Sequence, residues 1–305
     1  MPSLNLRERL VDPKSPDRRP RRAAYALPTF FTAGNIFLGF YSIVQSFQGA
    51  MAFSGGNEHA AMEYFAEAAK MIGWAIVADG LDGRIARMTN TTSEFGKEMD
   101  SLADVITFGF APAVLAFVWG VQFTTDSPLP FVHEHFHRLG YFVSFMFLLC
   151  GSLRLARFNV QTNPVPSNPG RPDRKYFVGM PIPAGAGLIA SIIYLMGGQP
   201  LRWWLASSVW IGLLGLTAFL MVSTWRYPSF KDINLLRPRA TILLLGAGGF
   251  IYLLWNFPQP ILFLMMTSYA LSGIVIRMGS YIRKRMRPRK SSGPARPPQP
   301  EHQIG

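Results

Sequence analysis

The sequence predicts an all-α polytopic membrane protein, a helical bundle of about eight transmembrane helices. Three observations predict it. Apolar residues make up 49% of the 305 and gather in long runs, while charged residues make up only 15%; runs of that length span a bilayer. With eight spans and both ends on one side, 27 of the 30 Lys and Arg fall on that side, which the positive-inside rule identifies as cytoplasmic. Four aspartates, Asp79, Asp82, Asp100 and Asp104, lie within 26 residues at the cytoplasmic ends of two consecutive runs. An ionised carboxylate costs about 2.5–3.5 kcal/mol at the centre of a membrane helix, so four together at its edge need a partner. The net charge of +13 is not read as a nucleic-acid footprint, because basic loops at an anionic membrane face account for it.

In chain order, residues 1–24 form a basic arm with several prolines, expected in the cytoplasm, with a short interfacial helix possible over 4–10. It lacks the apolar core and small-residue cleavage site of a signal peptide. The first span is expected over 27–48. Its Thr32, Gly34 and Asn35 are small or polar and belong against protein rather than lipid. A loop over 49–58 carries no Lys or Arg. The second helix, 60–88, has Glu63, Glu67 and Lys70 in its outer half and Asp79 and Asp82 in its inner half; Glu67 and Lys70 have the spacing of a surface ion pair. The third helix, 98–121, has Asp100 and Asp104 in its first turns. The connection 122–137 contains His133, His135 and His137. In an extended strand these would share one face, but no other ligand accompanies them and they fall on the side opposite the aspartates.

The fourth span, 139–160, holds the single Cys150 and ends in GSLRLARFN; one cysteine in an apolar run excludes a disulfide framework and a Cys-based metal site. A polar connection with Arg171, Arg174 and Lys175 leads to 179–184, read as a helix start with proline in its first turn. Further spans are expected over 181–197, 203–224, 241–255 and 260–279. Residues 281–305 form a basic, Pro-rich tail expected to be disordered, leaving 25–280 as the membrane domain.

Asp79 and Asp82 are three apart on one helix, and Asp100 and Asp104 four apart on the next, so each pair projects from one helix face. The connection between the helices is short, which makes them antiparallel neighbours and lets the pairs converge. Oxygen ligands of this kind suit Mg²⁺ or Mn²⁺, and two such ions would neutralise a diphosphate. Gly83 and Gly96 leave backbone open to a ligand; Gly80 either does the same or packs helices. Arg87, one turn past Gly83, is placed to reach a phosphate, whereas Arg84 points elsewhere and reads as a topology charge. A cation transporter would carry its carboxylates near the bilayer midplane, away from Arg84, Arg87 and Lys97.

The run Asp82-Gly83-x2-Ala86-Arg87-x8-Gly96-x3-Asp100-x3-Asp104, with Asp79 upstream, resembles the signature of the CDP-alcohol phosphatidyltransferases. The resemblance covers the chain from about residue 27 to at least the sixth span. It implies a helical bundle with a polar cavity facing the cytoplasm, and two divalent cations, Mg²⁺ or Mn²⁺, held by Asp79, Asp82, Asp100 and Asp104. It implies a CDP-diacylglycerol substrate contacted by Gly83, Arg87, Ser93 and Gly96, with Thr32 and Asn35 at its phosphates. Asp104 would be the catalytic base. The runs DSLADVITFGFAPA, GSLRLARFNV and YFVGMPIPAGAG are similar to the bacterial branch of the family that uses L-serine, which implies phosphatidylserine and CMP as products, a homodimer, and the inner membrane as location. Arg154, Arg157 and Asn159 are the candidates for the serine carboxylate, although positive-inside topology also accounts for the two arginines. Glycerol 3-phosphate, an inositol phosphate and choline remain as alternative acceptors. A phosphorylated acceptor would call for a denser basic cluster near the metals, and choline for an aromatic cage.

Overall fold

The computed structural model describes residues 22–89, 94–124, 130–162, 176–228 and 240–286. Helix α1 (Arg22–Ser54) and helix α2 (Glu58–Thr89) form a long antiparallel hairpin. Asn57 caps α2 by accepting a hydrogen bond from the Ala60 amide at 3.1 Å, as short polar residues do at helix starts. Ser42 ties the pair together through its hydroxyl, which donates to the Ala68 carbonyl at 2.9 Å.

The third rod is built of three pieces. Helix α3 (Glu94–Asp104) passes into a π-helical turn (Val105–Phe110) and then into α4 (Ala111–Gly120). Nearly every side chain of α4 is buried, so this helix is the axis of the bundle. Around it pack Phe65 and Ile72 of α2, Ile189 and Ile193 of α6 (Ile182–Leu195), and Leu214 and Trp210 of α7 (Trp204–Val222). Trp119 and Trp210 meet edge to face at 4.9 Å, and the Trp210 indole donates to the Ala116 carbonyl at 2.9 Å, so its polar edge is satisfied inside the core.

Helix α5 (Pro130–Thr162) lies along α7. Before α6, strand β1 (Tyr176–Val178) pairs antiparallel with β2 (Arg226–Pro228), with Phe177 opposite Tyr227. Gly179 follows β1 at φ +79°, and a side chain there would collide with the Met221 carbonyl oxygen. Only glycine satisfies both demands. Pro181 then caps α6, with Pro183 in its first turn. Helices α8 (Ala240–Asn256) and α9 (Pro258–Met286) complete the described chain.

These elements fall where the sequence places its eight apolar stretches. Five described helices are long and apolar enough to cross a membrane. α6 is apolar but has 14 residues, and α2 carries charges at both ends. One expectation is corrected. Residues from Pro130 onward are helical rather than a loop, so His135 and His137 lie on α5 and the alternate histidines do not form an extended strand. Proline suits a first helical position, which is why the helix starts there. The side chain of His133 lies outside the described residues. The Glu67–Lys70 ion pair is present at 3.0 Å.

Candidate active site

Two helix ends build the acidic centre. α2 delivers Asp79 from its last turns, and α3 delivers Asp100 and Asp104 from one face. One carboxylate oxygen from each of the three lies within 4.8 Å of the others, and all three residues are half-buried. Asp104 Oδ1 is buried with no hydrogen-bond partner among the described residues. Converging carboxylate oxygens, one of them lacking a donor, are a donor set for a hard divalent cation. The residues therefore fit the metal implied by the sequence pattern. Asp82 shares α2 with Asp79, but its side chain lies outside the described residues, as does that of Arg87; Ser93 lies outside them altogether.

The π-helical turn begins at the residue after Asp104. Such turns insert one extra residue and often mark functional sites. Here the turn presents Thr107 to α1, where its hydroxyl donates to the Asn35 carbonyl at 3.0 Å. A Cβ at Gly39 would lie 2.7 Å from the Thr107 hydroxyl, so glycine is what permits this approach. Asn35 and, one turn earlier, Thr32 are buried, and Asn35 Oδ1 has no partner among the described residues. The polar face of α1 thus looks toward the stretch that carries Asp104. Gly83 and Gly80 have open space where a side chain would stand, among the described residues. No neighbouring helix packs against Gly80 among the described residues. Gly96 is half-buried on the first turn of α3.

The two arginines of α5 divide. Arg154 is 7% exposed. Its guanidinium lies 5.4 Å from the Phe158 ring, in the field of Asp104 and Tyr269, and its Nε has no hydrogen-bond partner among the described residues. Arg157 instead donates to the Val222 carbonyl at 3.1 Å and to those of Val178 and Ser223 at 3.4 Å. It caps the end of α7 and ties it to β1, where unpaired carbonyls need donors. Asn159 likewise has an internal partner, donating to the Ser101 hydroxyl at 2.7 Å, which pins the end of α5 to α3.

Three residues here were not singled out from sequence. Thr107 is the lone hydroxyl in VITFGF, and Tyr269 is a polar group in an apolar span, a class that membrane helices keep for contacts inside the bundle. Tyr227 is fully buried on β2, and its hydroxyl donates to the Ala270 carbonyl at 3.4 Å. Burial, and then the neighbouring Tyr269, push the Tyr227 phenol up to about 12, so it stays protonated as a donor.

The family model described as CDP-alcohol phosphatidyltransferase matches residues 25–222. A Helicobacter pylori protein named CDP-diacylglycerol–serine O-phosphatidyltransferase is 34% identical over 256 residues, 84% of this chain and 92% of that protein. Proteins of the same name from Saccharomyces cerevisiae and Methanocaldococcus jannaschii are 38% and 35% identical; these matches cover 54% and 52% of this chain, and 52% and 62% of the relatives. The seven-position run from Asp82 to Asp104 lies inside the matched segment. The chain belongs to the CDP-alcohol phosphatidyltransferase family.

Proposed function

We propose that this protein transfers the phosphatidyl group of CDP-diacylglycerol to the hydroxyl of L-serine, giving phosphatidylserine and CMP. The observation that carries the reading is the convergence of Asp79, Asp100 and Asp104 at the ends of two helices within a chain of this family. The names of the relatives support serine as the acceptor. Asp79, Asp82, Asp100 and Asp104 would hold two divalent cations, Mg²⁺ or Mn²⁺. When bound, such ions supply charge neutralisation for the diphosphate and for the oxygen leaving with CMP.

The chain's own residues do the rest. Asp104 accepts the serine hydroxyl proton. The serine oxygen then forms its bond to the lipid-side phosphorus as the bond to the bridging oxygen breaks, and CMP takes that electron pair. A base must lie within hydrogen-bond reach of the proton it removes, and the buried Oδ1 of Asp104, without a hydrogen-bond partner among the described residues, supports it in that role. Arg154 pairs with the serine carboxylate, for which a guanidinium fork is suited. Arg157 holds the wall behind it. Thr32 and Asn35 contact the phosphates of the nucleotide-lipid, and Gly83, Arg87, Ser93 and Gly96 receive its cytidine end.

The protein is an integral membrane protein. We place its acidic centre and both termini in the cytoplasm, at the inner membrane, with 25–280 as the working domain flanked by the basic segments 1–24 and 281–305, and we propose a homodimer. The charge asymmetry of the loops supports this orientation. The test is purified full-length protein in vesicles containing CDP-diacylglycerol, given radiolabelled L-serine and Mn²⁺ or Mg²⁺. Labelled phosphatidylserine should form in step with CMP. Product from glycerol 3-phosphate, an inositol phosphate or choline, with none from serine, would refute the acceptor.

A further inference from the structure

We propose that Thr107 is a positioning residue: the π-helical turn that it anchors sets the rotation of α3 that brings Asp100 and Asp104 to Asp79. The inference rests on the reading of these aspartates as ligands for divalent cations.

The rod from Glu94 to Gly120 carries its acids before the turn and its most buried helix after it. At the end of the turn the Ala111 amide donates to the Ile106 carbonyl, five residues back rather than four. One residue inserted into an α-helix rotates the part before it against the part after it by about 100°, since a turn takes 3.6 residues. Helix α4 is locked by burial on nearly every side, so the rotation falls on α3. Asp104 is the last residue before the turn, and Asp100 lies one helical turn earlier. A rod that was α-helical throughout would swing both carboxylates by more than a quarter of a turn, away from the spot where they now meet Asp79 within 4.8 Å.

A π-helical turn is a rare backbone and needs neighbours that hold it. Thr107 is fully buried at its centre. Ser46, Ser152, Ser208 and Thr217 donate to the carbonyl four residues back in their own helices, a common habit of hydroxyls inside helices. Thr107 instead donates across to the Asn35 carbonyl on α1, 72 positions away, at 3.0 Å. Gly39 stands one turn along α1 from that acceptor, and a Cβ there would lie 2.8 Å from the Thr107 Cα. The acceptor and the room for the approach therefore occur at the same place on α1. Two residues beyond Thr107, Gly109 admits Leu148 of α5, whose side chain would lie 2.9 Å from a Cβ at that position. The turn is thus held between α1 and α5.

Thr107→Val removes the hydroxyl and keeps the branched shape. The readout is Mn²⁺ binding by chelator-stripped full-length protein in detergent, without substrate, followed by the electron paramagnetic resonance signal of the free ion. Thr107→Val should weaken Mn²⁺ binding about three- to tenfold, the loss of about one hydrogen bond. Thr107→Ser should stay within about twofold of the wild type. Gly39→Ala keeps the hydroxyl but presses on the turn, and should weaken binding as well. Ser42→Ala removes a different buried bond of α1, to the Ala68 carbonyl; it should lower the unfolding temperature and leave Mn²⁺ affinity within about twofold. Wild-type affinity in Thr107→Val or Gly39→Ala, or an equal loss in Ser42→Ala or Thr107→Ser, would overturn the proposal while leaving the metal reading intact. A wild-type protein that binds no Mn²⁺, or Asp100→Asn binding it as tightly as the wild type, would overturn the metal reading and the proposal with it.

Discussion

Two proposed roles, metal ligand and base, meet in Asp104, and its surroundings support both. It sits last in α3, one oxygen buried without a hydrogen-bond donor among the described residues, with two other carboxylates close by and within the electrostatic field of Arg154. Removing its charge should be the most damaging single change: Asp104→Asn should lower kcat by about 10²- to 10⁴-fold, the range for loss of a general base, in a serine-incorporation assay. A variant with full activity would sink the assignment. The two arginines should separate just as cleanly. Arg154→Gln should raise the serine KM with little change in unfolding temperature. Arg157→Gln should do the reverse, because it strips charge-assisted bonds, worth about 1.5–3 kcal/mol each at most, from the carbonyls of Val178, Val222 and Ser223. The aspartate spacing was legible in the sequence because a helix repeats every 3.6 residues whatever surrounds it. The division between Arg154 and Arg157 was not. The carbonyls that engage Arg157 come from 21 to 66 residues further along the chain, and no local pattern announces them.

At the scale of elements, the rod from Glu94 to Gly120 matters most. Its helical character is plain from composition, but the π-helical turn inside it depends on how Thr107 and Gly109 meet the neighbouring helices. Nothing in VITFGF marks the inserted residue. The same limit hid the β1–β2 pair. Its strands are three residues long and lie 50 positions apart in register, too short for any period to show. Two substitutions test these joints. Gly39→Val should force α1 away from Thr107, costing about 1–3 kcal/mol of stability as overpacking does, with activity falling as well, since Asn35 moves with its helix. Gly179→Ala meets both a left-handed backbone and the Met221 carbonyl, so it should lower stability by at least about 1–3 kcal/mol. Thermal unfolding in detergent measures both. A variant as stable as the wild type would mean that the close approach is not needed.

For the whole molecule, the arrangement brings a lipid-borne substrate and a water-soluble one to a single interface. Five described helices are long and apolar enough for a bilayer, and their exposed side chains, such as Phe37, Phe40, Val209 and Leu264, suit lipid. The acidic centre lies near the end of α2 and in the opening turns of the rod that begins at Glu94. Single cysteines introduced at Asn5 and Gln303, in a Cys150→Ser background, should label from the cytoplasmic side only; labelling of intact cells from outside would reverse the topology. The claim on which everything else depends is that the aspartates act together by holding divalent cations for transfer to serine. The most direct measurement is the rate of phosphatidylserine formation by chelator-stripped protein as Mn²⁺ is restored, for the wild type and for Asp79→Asn and Asp100→Asn. The account predicts no product without metal, saturable recovery in the wild type, and half-saturation displaced by about tenfold or more in each variant, at about 1.4 kcal/mol per tenfold. Product formed by the stripped protein, or one half-saturation point shared by all three, would contradict it.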